Sequence, residues 1–156
     1  MRNILWIVVT GLDGSGKTTL CQDLQKYFEE NGRKVAFFHS PYDQYIQKEL
    51  LNQSKDEYTD RLLFAIDNRL LGQKIEDIDK TGKDEDGNPV DIIISQRAWI
   101  DSMVHGQVQG FSYEQVNSLN RFYDLPKATV MLHLVAEYHT AFERIKNDPD
   151  ADKFEY

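Results

Sequence analysis

Two rhythms of apolar and polar positions divide this chain. Short, mostly apolar runs occur at 4–9, 35–38, 90–94 and 129–134, each bounded by glycine, proline or polar residues. Runs of this length suit strands covered on both faces, which need no polar alternation. Between them, apolar residues return every three or four positions, the period of a helix with one buried face. That spacing predicts helices over 17–30, 42–51, 57–80, 98–107 and 137–147. A further helix opens after Ser112, where Ser112 and Gln115 have capping-box spacing, and runs to near Leu125-Pro126. Asn31-Gly32 and Gly110 read as helix stops. In the 57–80 helix the expected buried stripe is Tyr58, Leu62, Leu63, Ile66, Leu70, Leu71, Ile75 and Ile78, with Phe64 and Arg69 beside it. In the 42–51 helix it is Tyr42, Tyr45, Ile46, Leu50 and Leu51.

Strands alternating with helices predict an α/β fold: one domain over 1–156, with a parallel sheet between helices on both faces. Ligands of such sheets sit at the carboxyl ends of the strands. Ser40, Gln96 and Arg97 fall at such ends. The fork of donors on Arg97 suits a phosphate clamp, or a structural carboxylate. Residues 81–89 are polar and turn-rich, which predicts a mobile surface loop; their carboxylates lack calcium-loop spacing. His133 alternates with apolar neighbours and is expected in or near the core.

The first loop carries the chemistry. Gly11-Leu12-Asp13-Gly14-Ser15-Gly16-Lys17-Thr18 fits G-x-x-x-x-G-K-[ST], with Thr19 following. It lies between a predicted strand and a predicted helix, the arrangement this phosphate-binding loop requires. Glycines let successive N–H groups turn inward as a nest for phosphate oxygens, and the helix adds its positive end. Lys17 is then expected to reach the β- and γ-phosphates of a nucleotide, and the Thr18 hydroxyl to ligate Mg2+.

Composition narrows the partners. The net charge of -8 over 156 residues argues against broad binding to nucleic acid or anionic membranes. Cys21 is the single cysteine, so no internal disulfide forms, and a reducing, cytoplasmic setting is expected. The run at 4–9 is too short to span a bilayer.

Several stretches, taken in order, resemble thymidylate kinases, the P-loop enzymes that phosphorylate dTMP with ATP. They are the P-loop with acidic Asp13, Leu62-Leu63-Phe64-Ala65 with Asn68-Arg69, Ser95-Gln96-Arg97, and the segment from Asp101 to Gln107. Leu132 to Glu137, Ala141 to Ile145, and Asp152-Lys153-Phe154-Glu155 continue the likeness. The resemblance implies a P-loop sandwich with a fifth strand beyond the four seen here, ATP and Mg2+ as cofactors, and a nucleoside monophosphate partner, most simply dTMP. It implies that Asp13 approaches the acceptor sugar, Phe64 stacks on the base and Arg69 hydrogen-bonds to it. Arg97 would hold the acceptor phosphate, His105 would stand at the sugar 2′ position, and Lys17 would neutralise the moving phosphoryl group. It also implies a homodimer packed through helices.

Departures from that pattern define the alternatives. Gln96 stands where the family has aspartate, a weaker partner for a hard cation. One extra residue separates Phe64 from Arg69, and the stretch from Arg97 to Asp101 is also shifted by one. Residues 40–43 hold no arginine, and neither the P-loop nor the middle of the 144–153 lid supplies the family's catalytic one. The family continues beyond this length, so a partial chain or a small diverged relative is expected, with apolar surface beside the fourth strand. The competing readings are a deoxynucleoside or other small-acceptor kinase, and a nucleotide-binding protein impaired in catalysis.

Overall fold

The computed structural model describes residues 4–147. The turn expected at 148–150 and the likeness at 152–155 lie outside the described residues. Among the described residues four strands form one parallel sheet: β1 (Leu5–Gly11), β2 (Val35–His39), β3 (Ile92–Gln96) and β4 (Val130–Leu134), in the order β2-β3-β1-β4. β1 pairs with β3 from Leu5↔Ile92 to Val9↔Gln96, and with β4 from Ile7↔Val130 to Gly11↔Leu134. The chain leaves β1 in one direction to reach β2 and in the other to reach β4. The crevice of such a sheet opens where the order reverses, at the carboxyl ends of β1 and β3.

Alternation along β1 explains the layers. Ile7 and Val9 join Ile92 and Ile94 against α1 (Lys17–Glu30), where Cys21, Leu20, Leu24 and Phe28 meet them. Trp6, Val8 and Ile93 point to the opposite face, against Leu71, Ile75 and Ile78 of α3 (Glu57–Thr81). Val8, Val9, Ile93 and Ile94 are fully buried, each stabilising the fold by about 1.5–3 kcal/mol. The sheet's one interior polar pair is satisfied: Trp6 Nε1 donates to Ser95 Oγ at 2.8 Å. Burial also pushes the Cys21 thiol up to about 11, so it stays protonated at neutral pH.

The remaining helices are α4 (Trp99–Val108), α5 (Tyr113–Asn120) and α6 (Tyr138–Lys146). α4 and α5 pack beside α3, with Trp99 and Phe122 rings 5.1 Å apart between them. Gly106 of α4 lets α5 approach, because a Cβ there would lie 2.5 Å from Val116 Cγ2.

Several expectations change. β3 begins two residues later than the apolar run, because Val90 N–H bonds to the Gly82 carbonyl and pairing starts at Ile92; it then continues through polar Ser95 and Gln96. The 42–51 segment is a π-helical turn, Ile46–Leu50, running into a short α2 (Leu51–Gln53). The wider turn brings Ile46 and Leu51, five apart, to one buried side and leaves Tyr45 exposed. α5 stops at Asn120, where Arg121 takes a left-handed φ of 48° before a 3-10 turn, Phe122–Asp124. Residues 81–89 form a tied turn: the Asp84 carboxylate accepts from the N–H groups of Asp86 and Asn88, and Lys83 bridges Pro89. The Asn88 bonds hold that carboxyl below its usual value.

The long helix corrects the largest error. Its C-terminal half buries Leu71, Ile75 and Ile78 as expected, but in the first half Tyr58, Leu62 and Ile66 are exposed while Arg61, Ala65 and Asn68 are buried. His133 is exposed, since β4 is an edge strand among the described residues, and its neighbours Val130 and Met131 are also exposed. Gly106→Ala is expected to destabilise the fold by about 1–3 kcal/mol through overpacking. Chemical denaturation should show this, and adding Val116→Ala should restore part of the loss.

Candidate functional site

The crevice predicted by the strand order is a cleft of about 630 Å³ lined by the P-loop, Asp23, Gln96, Leu134, Arg144 and Ile145. The loop leaves β1, tightens through a Ser15 N–H bond to the Leu12 carbonyl at 3.1 Å, and enters α1. Gly14 has a φ of 74°, and a Cβ there would collide with the backbone of Ala141 in α6. Gly16 has a φ of 94° at the N-cap of α1 and makes no side-chain cap. The first-turn N–H groups of α1 therefore point into the cleft with the helix's positive end. Arg144 of α6 closes over this loop, its Nη1 donating to the Gly14 carbonyl at 2.9 Å.

Charge at the centre is tightly arranged. Lys17 is buried at 5% exposure and turns back over the loop, its Nζ 2.8 Å from both the Leu12 carbonyl and Asp13 Oδ1. The same Asp13 oxygen receives Arg97 Nη2. One carboxylate thus holds two cations, and the cluster keeps a net positive charge facing the cleft. Arg97 reaches this place because the hydrogen bonding to β1 carries one residue past the end of β3 at Gln96: Arg97 N–H bonds to the Val9 carbonyl at 2.8 Å. Its φ of 67° then turns the chain sharply. A left-handed arginine costs about 1 kcal/mol or more, a strain kept where surrounding contacts determine it. Gln96 remains in the strand and lines the cleft with a neutral amide.

A second wall lies beside Arg97. Thr10 Oγ1 donates to Asp101 Oδ1 at 2.8 Å, while Asp101 Oδ2 accepts from Ala98 N–H at 3.1 Å. Asp101 thereby pins the start of α4 to the end of β1. One helical turn later stands His105, half-buried. Its pKa is lowered by burial first and by the Arg97 guanidinium second, with smaller effects from Arg61 and Lys17, against an opposing pull from Asp101. Phe64 of α3 is also half-buried, with the Arg61 guanidinium 4.6 Å from its ring centre. On the same side Asn68 Nδ2 donates to Ser102 Oγ at 3.0 Å and to Asn120 Oδ1 at 2.7 Å.

The family model described as thymidylate kinase matches residues 9–156. The chain belongs to the thymidylate kinase family. It is 29% identical over 134 residues to a probable thymidylate kinase of Staphylothermus marinus, covering 84% of this chain and 64% of that protein. A probable thymidylate kinase of Metallosphaera sedula is 31% identical over 151 residues, covering 96% of this chain and 69% of its own. One from Methanosphaera stadtmanae is 27% identical over 159 residues, at 97% and 75% coverage. The chain thus spans between 64% and 75% of the length of these relatives.

Within this family frame the site residues expected from sequence fall into groups. Asp13 to Thr19, Lys17 among them, line one cleft, and Arg97 joins them through Asp13; Gly11 ends β1 and Leu12 is exposed, and neither lines that cleft. His105 lies within electrostatic reach of Arg97 and Lys17. Arg69 goes elsewhere: its guanidinium pairs with Asp124 at 3.5 Å. Helical rotation of about 100° per residue explains this, since it leaves Asn68, four residues on, below Phe64 and carries Arg69 round the helix.

Three features escaped the sequence reading: buried Arg61, the Asn68–Ser102–Asn120 network and the Arg144 contact to the P-loop. Arg61, Phe64 and Asn68 recur at helical spacing within an apolar stretch, a polar signal that the apolar stripe conceals. Among the described residues no three or more His, Cys, Asp or Glu side chains are grouped to hold a metal ion, and no helix is long and apolar enough to cross a membrane.

Because folding lowers the His105 pKa, the folded chain binds fewer protons there than the unfolded chain. Its share of stability is complete above the ordinary value of 6.5 and is lost as pH falls below it. Denaturation across that range should show wild type losing stability toward acid faster than His105→Gln.

Proposed function

We propose that this protein transfers the γ-phosphoryl group of ATP to a nucleoside monophosphate, with dTMP as the acceptor. The observation that carries this reading is the Asp13 carboxylate, which holds Lys17 of the phosphate loop and Arg97, just after β3, together. It joins a donor site to a second anion site, as transfer between two phosphates requires. In the reaction the bond between the γ-phosphorus and the β,γ-bridging oxygen breaks. A new bond forms to an oxygen of the acceptor phosphate, leaving ADP and a nucleoside diphosphate.

Such transfer needs positioning and charge stabilisation more than covalent help from protein. The N–H groups of the P-loop and first turn of α1 hold the donor phosphates, and Lys17 stabilises the charge on the moving group. Arg97 holds the acceptor phosphate; Asp13 sets the separation between those two cations and approaches the sugar. Phe64 offers a face for the base, and neutral His105 lies beside the sugar. Mg2+, when bound, shields charge on the nucleotide oxygens. The residues present fit it through the exposed Thr18 hydroxyl in the cleft, with the Gln96 amide nearby and Asp13 already engaged.

Gln96 also argues between readings. Phosphorylating a hydroxyl calls for a base at the end of β3, and an amide cannot take a proton. A phosphate acceptor is already ionised and needs none. The exposed row Tyr58, Leu62 and Ile66 on α3 supports pairing of two copies through that helix. The family and the reducing setting implied by lone, buried Cys21 support a cytoplasmic enzyme.

Assaying wild type with ATP against dTMP, other monophosphates and thymidine tests the proposal; ATP binding without turnover of any acceptor would overturn it. Lys17→Ala is expected to abolish ATP binding or transfer. Phe64→Ala is expected to weaken dTMP binding by about 1–3 kcal/mol, the usual worth of base stacking, while ATP binding is unchanged. Equal losses for both ligands would remove Phe64 from the acceptor side.

A further inference from the structure

The contact with Asp13 fixes the far end of Arg97. Its backbone is set by other groups. A φ of 67° is left-handed, a region that an arginine rarely adopts. Such a turn persists only where the surroundings determine it. The two peptides that flank the Cα of Arg97 are therefore the place to look.

The peptide before it is fixed by β1, since Arg97 N–H donates to the Val9 carbonyl at 2.8 Å. The peptide after it is fixed by a side chain: Ala98 N–H donates to Asp101 Oδ2 at 3.1 Å. The other oxygen of that carboxylate accepts from Thr10 Oγ1 at 2.8 Å. Val9 and Thr10 are consecutive, buried residues of β1. Both anchors of Arg97 thus come from one strand, the first directly and the second through Asp101. Together the two peptide planes set the direction in which the Arg97 side chain leaves the backbone. Both Asp101 oxygens are spent on neutral donors, so its hold on Arg97 runs through the backbone. A helix cap would need only the Ala98 bond. The Thr10 bond reaches from α4 to β1 and adds nothing to the cap.

We propose that Asp101, tied to Thr10, is a positioning residue that holds the Arg97 backbone in its left-handed turn and so aims the guanidinium at the acceptor. This rests on the phosphoryl-transfer reading above, in which Arg97 meets the acceptor. It adds the pair that orients Arg97 and no further ligand.

Backbone NMR shifts of the full chain, which report φ, and steady-state kinetics with ATP and dTMP test it. In Asp101→Ala, Arg97 should leave the left-handed region. The kcat/KM for dTMP should fall about tenfold or more, since a misplacement of about 1 Å costs up to about a hundredfold. The KM for ATP should hold. Asp101→Asn should restore both readouts, because its amide oxygen still accepts from Ala98 N–H and a threonine hydroxyl can accept as well as donate. Rescue by a neutral residue also separates positioning from the charge of Asp101, which acts on His105. Thr10→Val leaves the helix cap in place and should give part of the same loss, but none beyond that of Asp101→Ala when the two are combined. An Arg97 that keeps its left-handed φ in Asp101→Ala would overturn the positioning role, whatever the protein phosphorylates. Additive losses in the double variant, or equal losses for ATP and dTMP, would overturn it too, by making the two residues separate structural supports. Wild type that turns over no monophosphate, with the φ of Arg97 lost in Asp101→Ala, would overturn the kinase reading alone.

Discussion

A single carboxylate between two cations organises this protein's centre. Asp13 lies in the loop after β1, Lys17 in the first turn of α1 and Arg97 after β3, so their contact ties three elements at one sheet edge. The arrangement is possible because β1 and β3 are neighbours, with Val9 opposite Gln96. Two cations this close repel each other, and Asp13 offsets that repulsion while leaving a net positive charge. A buried charge group of this kind is retained when it is fully paired or when a ligand completes it. Here the pairing is complete for Asp13 and incomplete for the guanidinium of Arg97, whose Nε stays unpartnered.

The same logic extends outward along α3. A helix covering a sheet buries apolar residues wherever it meets only the sheet, and Leu71, Ile75 and Ile78 do so. Where it faces α4 near the carboxyl edge, it buries Arg61, Asp67 and Asn68 instead. Asn68 is satisfied by Ser102 and Asn120, and Asp67 by the loop after β2, although burial still holds its carboxyl above the usual range. These polar groups fix how α3, α4 and α5 sit against one another. They therefore set the shape of the wall on which an acceptor would lie.

Much of this was legible in the residues. The P-loop spacing located the turn between β1 and α1, with Gly14 and Gly16 at positive φ beside the cleft, because glycines at that interval free the backbone there. The bounds of α1 and the cap of α5 followed from local signals, Asn31-Gly32 and Ser112 with Gln115. Departures arose where a partner outside the local segment decided the outcome. Polar Ser95 and Gln96 are strand residues because β1 and β2 supply their hydrogen-bond partners, which no local pattern announces. His133 looked like core because its neighbours are apolar, yet among the described residues β4 lies at the sheet's edge.

Local chain chemistry was enough for the fold class and the family, since each depends on residues close in sequence and on periodicity. The contacts around Arg97 and Arg61 depend on residues far apart. Asp13 meets Arg97 across 84 residues, and Arg61 meets Ser102 across 41. Those contacts come from strand order and helix rotation: one brings β3 beside β1, and the other turns Arg61 inward and Arg69 out to Asp124. Neither is encoded in a local pattern, because both follow from how the whole chain buries its apolar faces at once.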